Sequence, residues 1–374
     1  MTPLTPASPR TGVWLIGARG SVATTVIAGC AAVAHGLKPP VGMATLTPRF
    51  AESGLPDLTS FVFGGHDVAT CPLPKRAEQL AGQGVLPHDL PAAVLNELTA
   101  ADAEICPGGP AAGDTREDHE LISRFAEDIA SFHTRNRLAR CVVINVASTE
   151  PAPREGDKSL PASSLYAAAA LRAGAAYVNF TPSAGLHHPA MPDPHGVPVA
   201  GRDGKTGQTM LRSVLGPMFA QRALPVRSWS GINLLGGGDG AALADPAAAA
   251  AKNAGKGRVL ADTLGTVPEG VVHIDDVPSM GEWKTAWDHI AFEGFLGVRM
   301  VLQTTWQGCD SALAAPLVLD LARLVARAQE VGLTGPLPEL GFYFKDPDPG
   351  ASSSLTEQYM ALLNFAERLK GSHG

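Results

Sequence analysis

Short unbroken apolar runs alternate with helical stretches through the first half of the chain. The run GVWLI, from Gly12, predicts a strand; its continuous hydrophobicity is that of a parallel strand covered on both faces. A glycine turn, Gly17 to Gly20, follows, and Ser21 is placed to cap the next helix. PPVGMATL predicts a second strand and FVFGGHDV a third. Residues 72–100 carry helical periodicity, and 101–117 are rich in Gly, Pro and Asp and predict a loop. REDHELISRFAEDIASFHTRN is an amphipathic helix. CVVINVAS and AYVNFTP read as strands on either side of the helix SSLYAAAALRAG, which Gly174 closes. Strands alternating with helices imply an α/β fold built on a doubly wound parallel sheet.

The pattern changes after Gly201. VRSWSGINLLG, VVHIDDVP and GVRMVLQTTWQG alternate polar and apolar, as strands of a sheet with one open face do. SALAAPLVLDLARLVARAQEVG is a strong helix that predicts a return to the first domain. The expected organisation is a loose tail over 1–10, a doubly wound domain over 11–209, an inserted α+β domain over 210–310 and a C-terminal return over 311–374.

Composition narrows the function. The chain has 374 residues, 45% of them hydrophobic, which suits a packed protein of more than one core. Its net charge of −7 and the lack of a basic block argue against nucleic-acid binding. Arg19 and several glycines interrupt the apolar stretch 13–33, so no membrane span is expected. The five cysteines form no CxxC pair, and His187-His188 has no partner at ligand spacing, so neither a disulfide framework nor a metal site is expected. A reducing cytoplasm fits that cysteine usage.

Only nine of the 29 basic residues are lysines, which makes each lysine's setting informative. Gly17-Ala18-Arg19-Gly20-Ser21-Val22 opens a helix after a strand, where backbone N–H groups favour a diphosphate. It lacks the full G-x-G-x-x-G, so an ordinary tight turn also explains it. No acid ends the second expected strand, and Asp67, after Gly64-Gly65-His66, is the candidate for a ribose contact. A second anion site is Thr206-Gly207-Gln208-Thr209 at the start of another helix, with Lys205 adjacent. A third feature is NLLGGGDG, after which Asp245 and Pro246 open a helix with Lys252 and Lys256 on one face. Lys284 stands between Trp283 and Trp287, and Lys345 ends an aromatic run.

These segments together resemble the myo-inositol-1-phosphate synthases, also called inositol-3-phosphate synthases, over roughly residues 12–345. GKTGQT is similar to the family's KSGQT, NLLGGGDG to its NHLGNNDG, and CDSALAAPLVLDL to its EDSLLAAPIILDL. The lysines of KNAGK, GEWK and FYFK fall at the spacing of its four active-site lysines. The resemblance implies a Rossmann-type sheet, an inserted catalytic and oligomerisation domain, bound NAD and a homotetramer. It implies a hexose 6-phosphate oxidised at C5, an enolate that attacks the C1 aldehyde of the same molecule, and re-reduction at C5. It places Lys252, Lys284 and Lys345 in catalysis. It places Lys256 with Thr206, Gly207, Gln208 and Thr209 on the phosphate, and Asn233, Leu235 and Gly237 on the sugar. It places the Gly17–Val22 loop, Asp67, Asp203, Asp239 and Asp310 on the cofactor.

The sequence also departs from the family. Gly237 and Gly238 replace its asparagines, Leu234 replaces its histidine, and GARGSVA replaces the eukaryotic GGNNG type of cofactor loop. The resemblance makes glucose 6-phosphate the first expected substrate, and these departures make cyclisation of fructose 6-phosphate to a five-membered ring the alternative. A simple NAD-dependent dehydrogenase or a non-catalytic NAD sensor would leave the convergent lysines unexplained.

Overall fold

The computed structural model describes residues 9–110, 114–150, 159–236 and 264–371. Seven strands form the first sheet: β1 (Thr11–Ile16), β2 (Phe61–Asp67), β3 (Ile105–Pro107), β4 (Arg140–Asn145), β5 (Ala176–Asn179), β6 (Pro198–Gly201) and, late in the chain, β11 (Gly335–Pro336). Four form the second: β7 (Val226–Leu235), β8 (Val272–Asp276), β9 (Trp283–Glu293) and β10 (Arg299–Cys309). The described helices are α1 (Ser21–Ala34), α2 (Leu73–Gly82), α3 (Leu90–Ala93), α4 (Leu95–Asp102), α5 (Asp118–Arg135), α6 (Ala162–Arg172), α7 (Gly207–Gln221), α8 (Asp310–Glu330) and α9 (Leu355–Arg368).

The first sheet is parallel, in the order β11-β6-β5-β4-β1-β2-β3. Every residue of β1 is buried, as its unbroken apolar run predicts. Its side chains serve two cores in alternation. Val13 and Leu15 join Val26 of α1 and Val318 and Leu321 of α8 on one face. Trp14 and Ile16 join Phe125 of α5, Val143 of β4 and Leu165 of α6 on the other. Each such side chain contributes roughly 1.5–3 kcal/mol through burial. Because β1 lies between β4 and β2, the order of connection reverses there, and the carboxyl ends of β1 and β4 border the crevice where such sheets bind ligands.

The second sheet runs β10-β9-β7-β8. Strand β9 is antiparallel to both neighbours, and β8 is parallel to β7. One face, with Trp229, Asn233, Leu235, Ala286, Asp288 and Ile290, is buried. Phe219 of α7 packs there against Val226, Trp229 and Ile290. Strand β10 passes straight into α8, which packs back on α1 and β4. No helix of the described residues is long and apolar enough to cross a membrane.

Four segments differ from the expectation; one is the loop expected over 101–117, which holds the edge strand β3. PPVGMATL is a turn with a short 3-10 segment, Ala44–Leu46, and not a strand. Gly42 takes a positive φ of 84°, and the N–H groups of Ala44 and Thr45 donate to Asp320 of α8 instead of to a neighbouring strand. The helical stretch 72–100 breaks into α2, α3 and α4, first near Gly84 (φ 76°) and again at Val94. GEWKTAWDHIAFEG, read only for its lysine, holds the central strand β9.

Candidate functional site

Two helix starts and one strand start make up the site. At the first, β1 turns into α1 through Gly17, whose φ of 81° suits glycine, and an added Cβ would lie 2.7 Å from the Ala147 Cα. The N–H groups of Gly17 and Ala18 donate to the His66 carbonyl, which ties the loop to the end of β2. Beyond it, Asp67 accepts from the Arg19 N–H at 2.6 Å and the Ala69 N–H at 2.7 Å. The Arg19 guanidinium turns away to Asp102 (3.0 Å) and the Ala69 carbonyl (3.1 Å). Gly20, not Ser21, is the N-cap of α1; Ser21 is its first residue, and its hydroxyl donates to Glu282 at 2.8 Å. Val22, next in the helix, is partly buried against the first core. The first-turn N–H groups have no intrahelical acceptor, so this start offers the backbone a diphosphate needs.

His66 itself is wholly buried. Trp14 Nε1 donates to its Nδ1 at 3.0 Å, so Nε2 carries the proton toward Asp128, also at 3.0 Å. Burial lowers its pKa, against the opposing pull of Asp128. The imidazole thus stays neutral while its backbone carbonyl anchors the loop.

The second helix start is that of α7. Thr206 is its N-cap in an extended conformation, and Gly207 follows with φ 52°. Gln208 and Thr209 are buried. An added Cβ on Gly207 would lie 3.5 Å from Asp310 Oδ1 and 3.9 Å from Trp306 Nε1, which places this turn against the junction of β10 and α8. Lys284 reaches the same junction: its Nζ lies 2.9 Å from Asp310 Oδ2. Lys345 Nζ lies 2.9 Å from Asp203 Oδ1. Backbone bonds fix that second pair, with the Lys345 N–H donating to the Asp203 carbonyl and the Asp203 N–H to the Thr181 carbonyl. Asp203 stands three residues before the N-cap of α7.

Beneath α7, the buried face of the second sheet supplies polar support. Leu235 pairs with Lys284, and Asn233 with Ala286. Asn233 Nδ2 donates to Gln208 Oε1 at 3.1 Å. Asp288 accepts from Gln208 Nε2 (2.8 Å), Arg212 (3.0 Å) and Trp229 Nε1 (2.8 Å).

Lys205 does not reach the α7 start. Its ammonium is buried, donating to Gln358 of α9 and to the Gly341 carbonyl, and desolvation draws its pKa down to about 7. Gly237, Gly238, Asp239, Asp245, Lys252 and Lys256 lie outside the described residues.

Sequence reasoning passed over Glu282 and Asp288. Glu282 accepts from Ser21 and from Arg76 of α2, each at 2.8 Å, so the start of β9 touches the α1 turn two residues before Lys284 touches Asp310. The spacing of Lys284, Ala286 and Asp288 is that of one strand face, a signal available once β9 is recognised.

The fold defines a Rossmann-type protein carrying a second sheet whose central strand meets both helix starts. The family model for myo-inositol-1-phosphate synthase matches residues 207–311, which run from the start of α7 to the start of α8. The inositol-3-phosphate synthase 1 of Bacteroides thetaiotaomicron is 31% identical, across 91% of this chain and 90% of that one. The inositol-3-phosphate synthase of Trypanosoma brucei brucei is 30% identical, across 87% of this chain and 74% of that one. The crystal structure of inositol-3-phosphate synthase from Caenorhabditis elegans shares the fold with a TM-score of 0.84 at 21% identity, over 98% of this chain and 86% of that one. The chain belongs to the inositol-3-phosphate synthase family.

Proposed function

We propose that the protein catalyses an NAD-dependent, net redox-neutral intramolecular aldol cyclisation of a hexose 6-phosphate, with glucose 6-phosphate giving a myo-inositol phosphate. The observation that carries this reading is the pair of lysine–aspartate contacts, Lys284–Asp310 and Lys345–Asp203, flanking the start of α7. A dehydrogenase needs one proton shuttle, whereas an enolate and an aldol alkoxide each need a fixed positive charge.

The phosphate would lie on the N–H groups and hydroxyls of Thr206, Gly207, Gln208 and Thr209, with Lys256 as counter-charge. Asn233 and Leu235 would line the sugar side, with Gly237 beyond them. Lys284 and Lys345 would hold negative charge on the C5 and C1 oxygens, and Lys252 would complete the set. Either aspartate could take the hydroxyl proton through its lysine. Holding the phosphate end and the chain end together makes the carbon–carbon bond formation effectively unimolecular.

The residues fit a dinucleotide. The glycine turn at the sheet's reversal point, the first-turn N–H groups of α1 and Asp67 at the end of β2 suit a diphosphate and a ribose. Asp203, Asp310 and Asp239 would lie on the nicotinamide side. When bound, NAD supplies reversible hydride transfer at C5. The exposed edge strand β10, with Met300 and Val301 in solvent, supports assembly as a homotetramer through this sheet.

A second reading keeps the chemistry and changes the sugar. Gly237 and Gly238 stand where the family motif carries asparagines, which favours a substrate of altered hydroxyl pattern, fructose 6-phosphate giving a cyclopentane phosphate. Incubation with each 13C-labelled hexose phosphate and catalytic NAD separates the outcomes. A six-membered inositol phosphate supports the first reading and a five-membered carbocycle the second. NADH accumulating without any carbocycle overturns both.

A further inference from the structure

Asp288 is 2% exposed and sits on the face of β9 that also carries Lys284. Its Oδ1 accepts from Arg212 and Trp229, and its Oδ2 from Gln208 Nε2. A carboxylate without a proton only accepts, so the Gln208 amide has one permitted orientation, Nε2 toward Asp288. Its Oε1 therefore faces β7, where it accepts from Asn233 Nδ2 at 3.1 Å. That contact in turn fixes Asn233, whose Oδ1 must point the other way. The oxygen is buried in a residue only 1% exposed, and it has no hydrogen-bond partner among the described residues. An orphaned buried acceptor on β7, carried by a side chain whose amide already meets Gln208 of α7, is the kind of group a ligand donor would complete.

We propose that Asp288 is a positioning residue that, through Gln208, turns the Asn233 carbonyl oxygen toward a hydroxyl of the bound sugar. The inference rests on the proposed function in taking a polyol phosphate as the ligand. Gly231 belongs to the same device. An added Cβ there would lie 3.0 Å from both Asp288 Oδ1 and Gln208 Nε2, so the two side chains meet over a position that holds only hydrogen. Arg212 balances the buried charge, and its guanidinium carbon lies 5.6 Å from the Trp229 ring centroid.

The Asp288→Asn change reverses the relay. The new amide would keep its oxygen toward Arg212 and Trp229 and set its NH2 against Gln208. Gln208 would then flip, and Asn233 would offer an NH2 where wild type offers an oxygen.

The test is calorimetric binding of an unreactive hexitol 6-phosphate and of inorganic phosphate to wild type, Asp288→Asn, Asn233→Ala and the double variant. Asp288→Asn and Asn233→Ala should each weaken the hexitol phosphate about tenfold, the order expected for a lost hydrogen bond at a buried site. Inorganic phosphate should be unaffected, and the double variant should be no weaker than the poorer single, because one acts through the other. Additive losses, equal weakening of both ligands, or no loss in Asp288→Asn overturn the proposal. If Asp288→Asn does not fold, Gly231→Ala, which crowds the same contact without removing charge, must show the same selective loss. The product assay on wild type is separate: absence of a carbocycle with the selective loss intact defeats the functional reading alone.

Discussion

Lys284 and Asp310 meet at 2.9 Å although they belong to different elements, one near the start of β9 and the other opening α8. The register brings them together, since Lys284 pairs with Gly308, two residues before Asp310. The ion pair is partly exposed and therefore worth little for stability. In the proposed reading its role is to aim an ammonium at the α7 turn. Lys284→Ala should lower kcat by at least ~100-fold, the range for removing one oxyanion donor or proton shuttle. Thermal stability and inorganic phosphate binding should change little. Full turnover in the variant would remove Lys284 from the catalytic set.

Gly17→Ala tests the proposed nucleotide role of the glycine turn. The alanine would have to take a φ of 81° with its Cβ 2.7 Å from the Ala147 Cα and 3.1 Å from the Ala147 nitrogen, backbone atoms that cannot swing aside as a side chain could. A left-handed non-glycine residue costs about 1 kcal/mol or more, before the clash. Dinucleotide affinity, read by fluorescence titration, should fall at least tenfold, with a lowered Tm. Unchanged affinity would show that the diphosphate lies elsewhere.

The limits of the sequence lie in particular segments. Strand β1 was legible because burial on both faces leaves an unbroken apolar run, and α5 because one apolar face repeats at helical spacing. PPVGMATL misled because its apolar residues suit a strand, while the acceptors that claim its N–H groups sit on Asp320, about 275 residues away. Strand β9 was missed because WKTAWDHIAFE interleaves charged and aromatic residues, which periodicity alone does not separate from a loop. The lysine–aspartate pairs could not be read from spacing at all. Lys345 and Asp203 are 142 positions apart and meet only because β6 is followed by a backbone pairing with residues 343–346. Lys205 shows the converse: beside an apparent phosphate loop in sequence, its side chain is taken up by α9.

Lys205 also gives a pH prediction. Folding draws its pKa from 10.5 down to about 7, so the folded state holds fewer protons than the unfolded state between those values. Stability from this group therefore rises with pH above 7 and is fully penalised below it, with a slope of up to about 1.4 kcal/mol per pH unit. Lys205→Met removes that slope and adds a constant offset for its lost hydrogen bonds. Urea unfolding at several pH values between 7 and 9 should show wild type gaining on the variant as pH rises. Parallel curves would show that Lys205 is not a buried, titrating ammonium.

Glu282 ties the second sheet to the glycine turn that opens α1. It accepts from Ser21 and from Arg76, its own N–H donates to Gln83 Oε1 at 3.2 Å, and the Gln83 backbone carbonyl accepts from Trp283 Nε1 at 2.8 Å. Held by the Ser21 hydroxyl, the Glu282 carboxylate places a negative charge beside the positive end of α1, the end a diphosphate would also seek. In the proposed reading a bound diphosphate would share this place with Glu282, and Arg76 would pair with either anion. Glu282→Gln removes the protein's own charge while keeping an acceptor of the same shape. Dinucleotide binding should tighten by a few-fold, and the gain should shrink in Arg76→Ala/Glu282→Gln, where no guanidinium is left to transfer to the ligand. Weaker binding in Glu282→Gln would instead mean that the carboxylate serves the cofactor directly, through a hydroxyl rather than a phosphate.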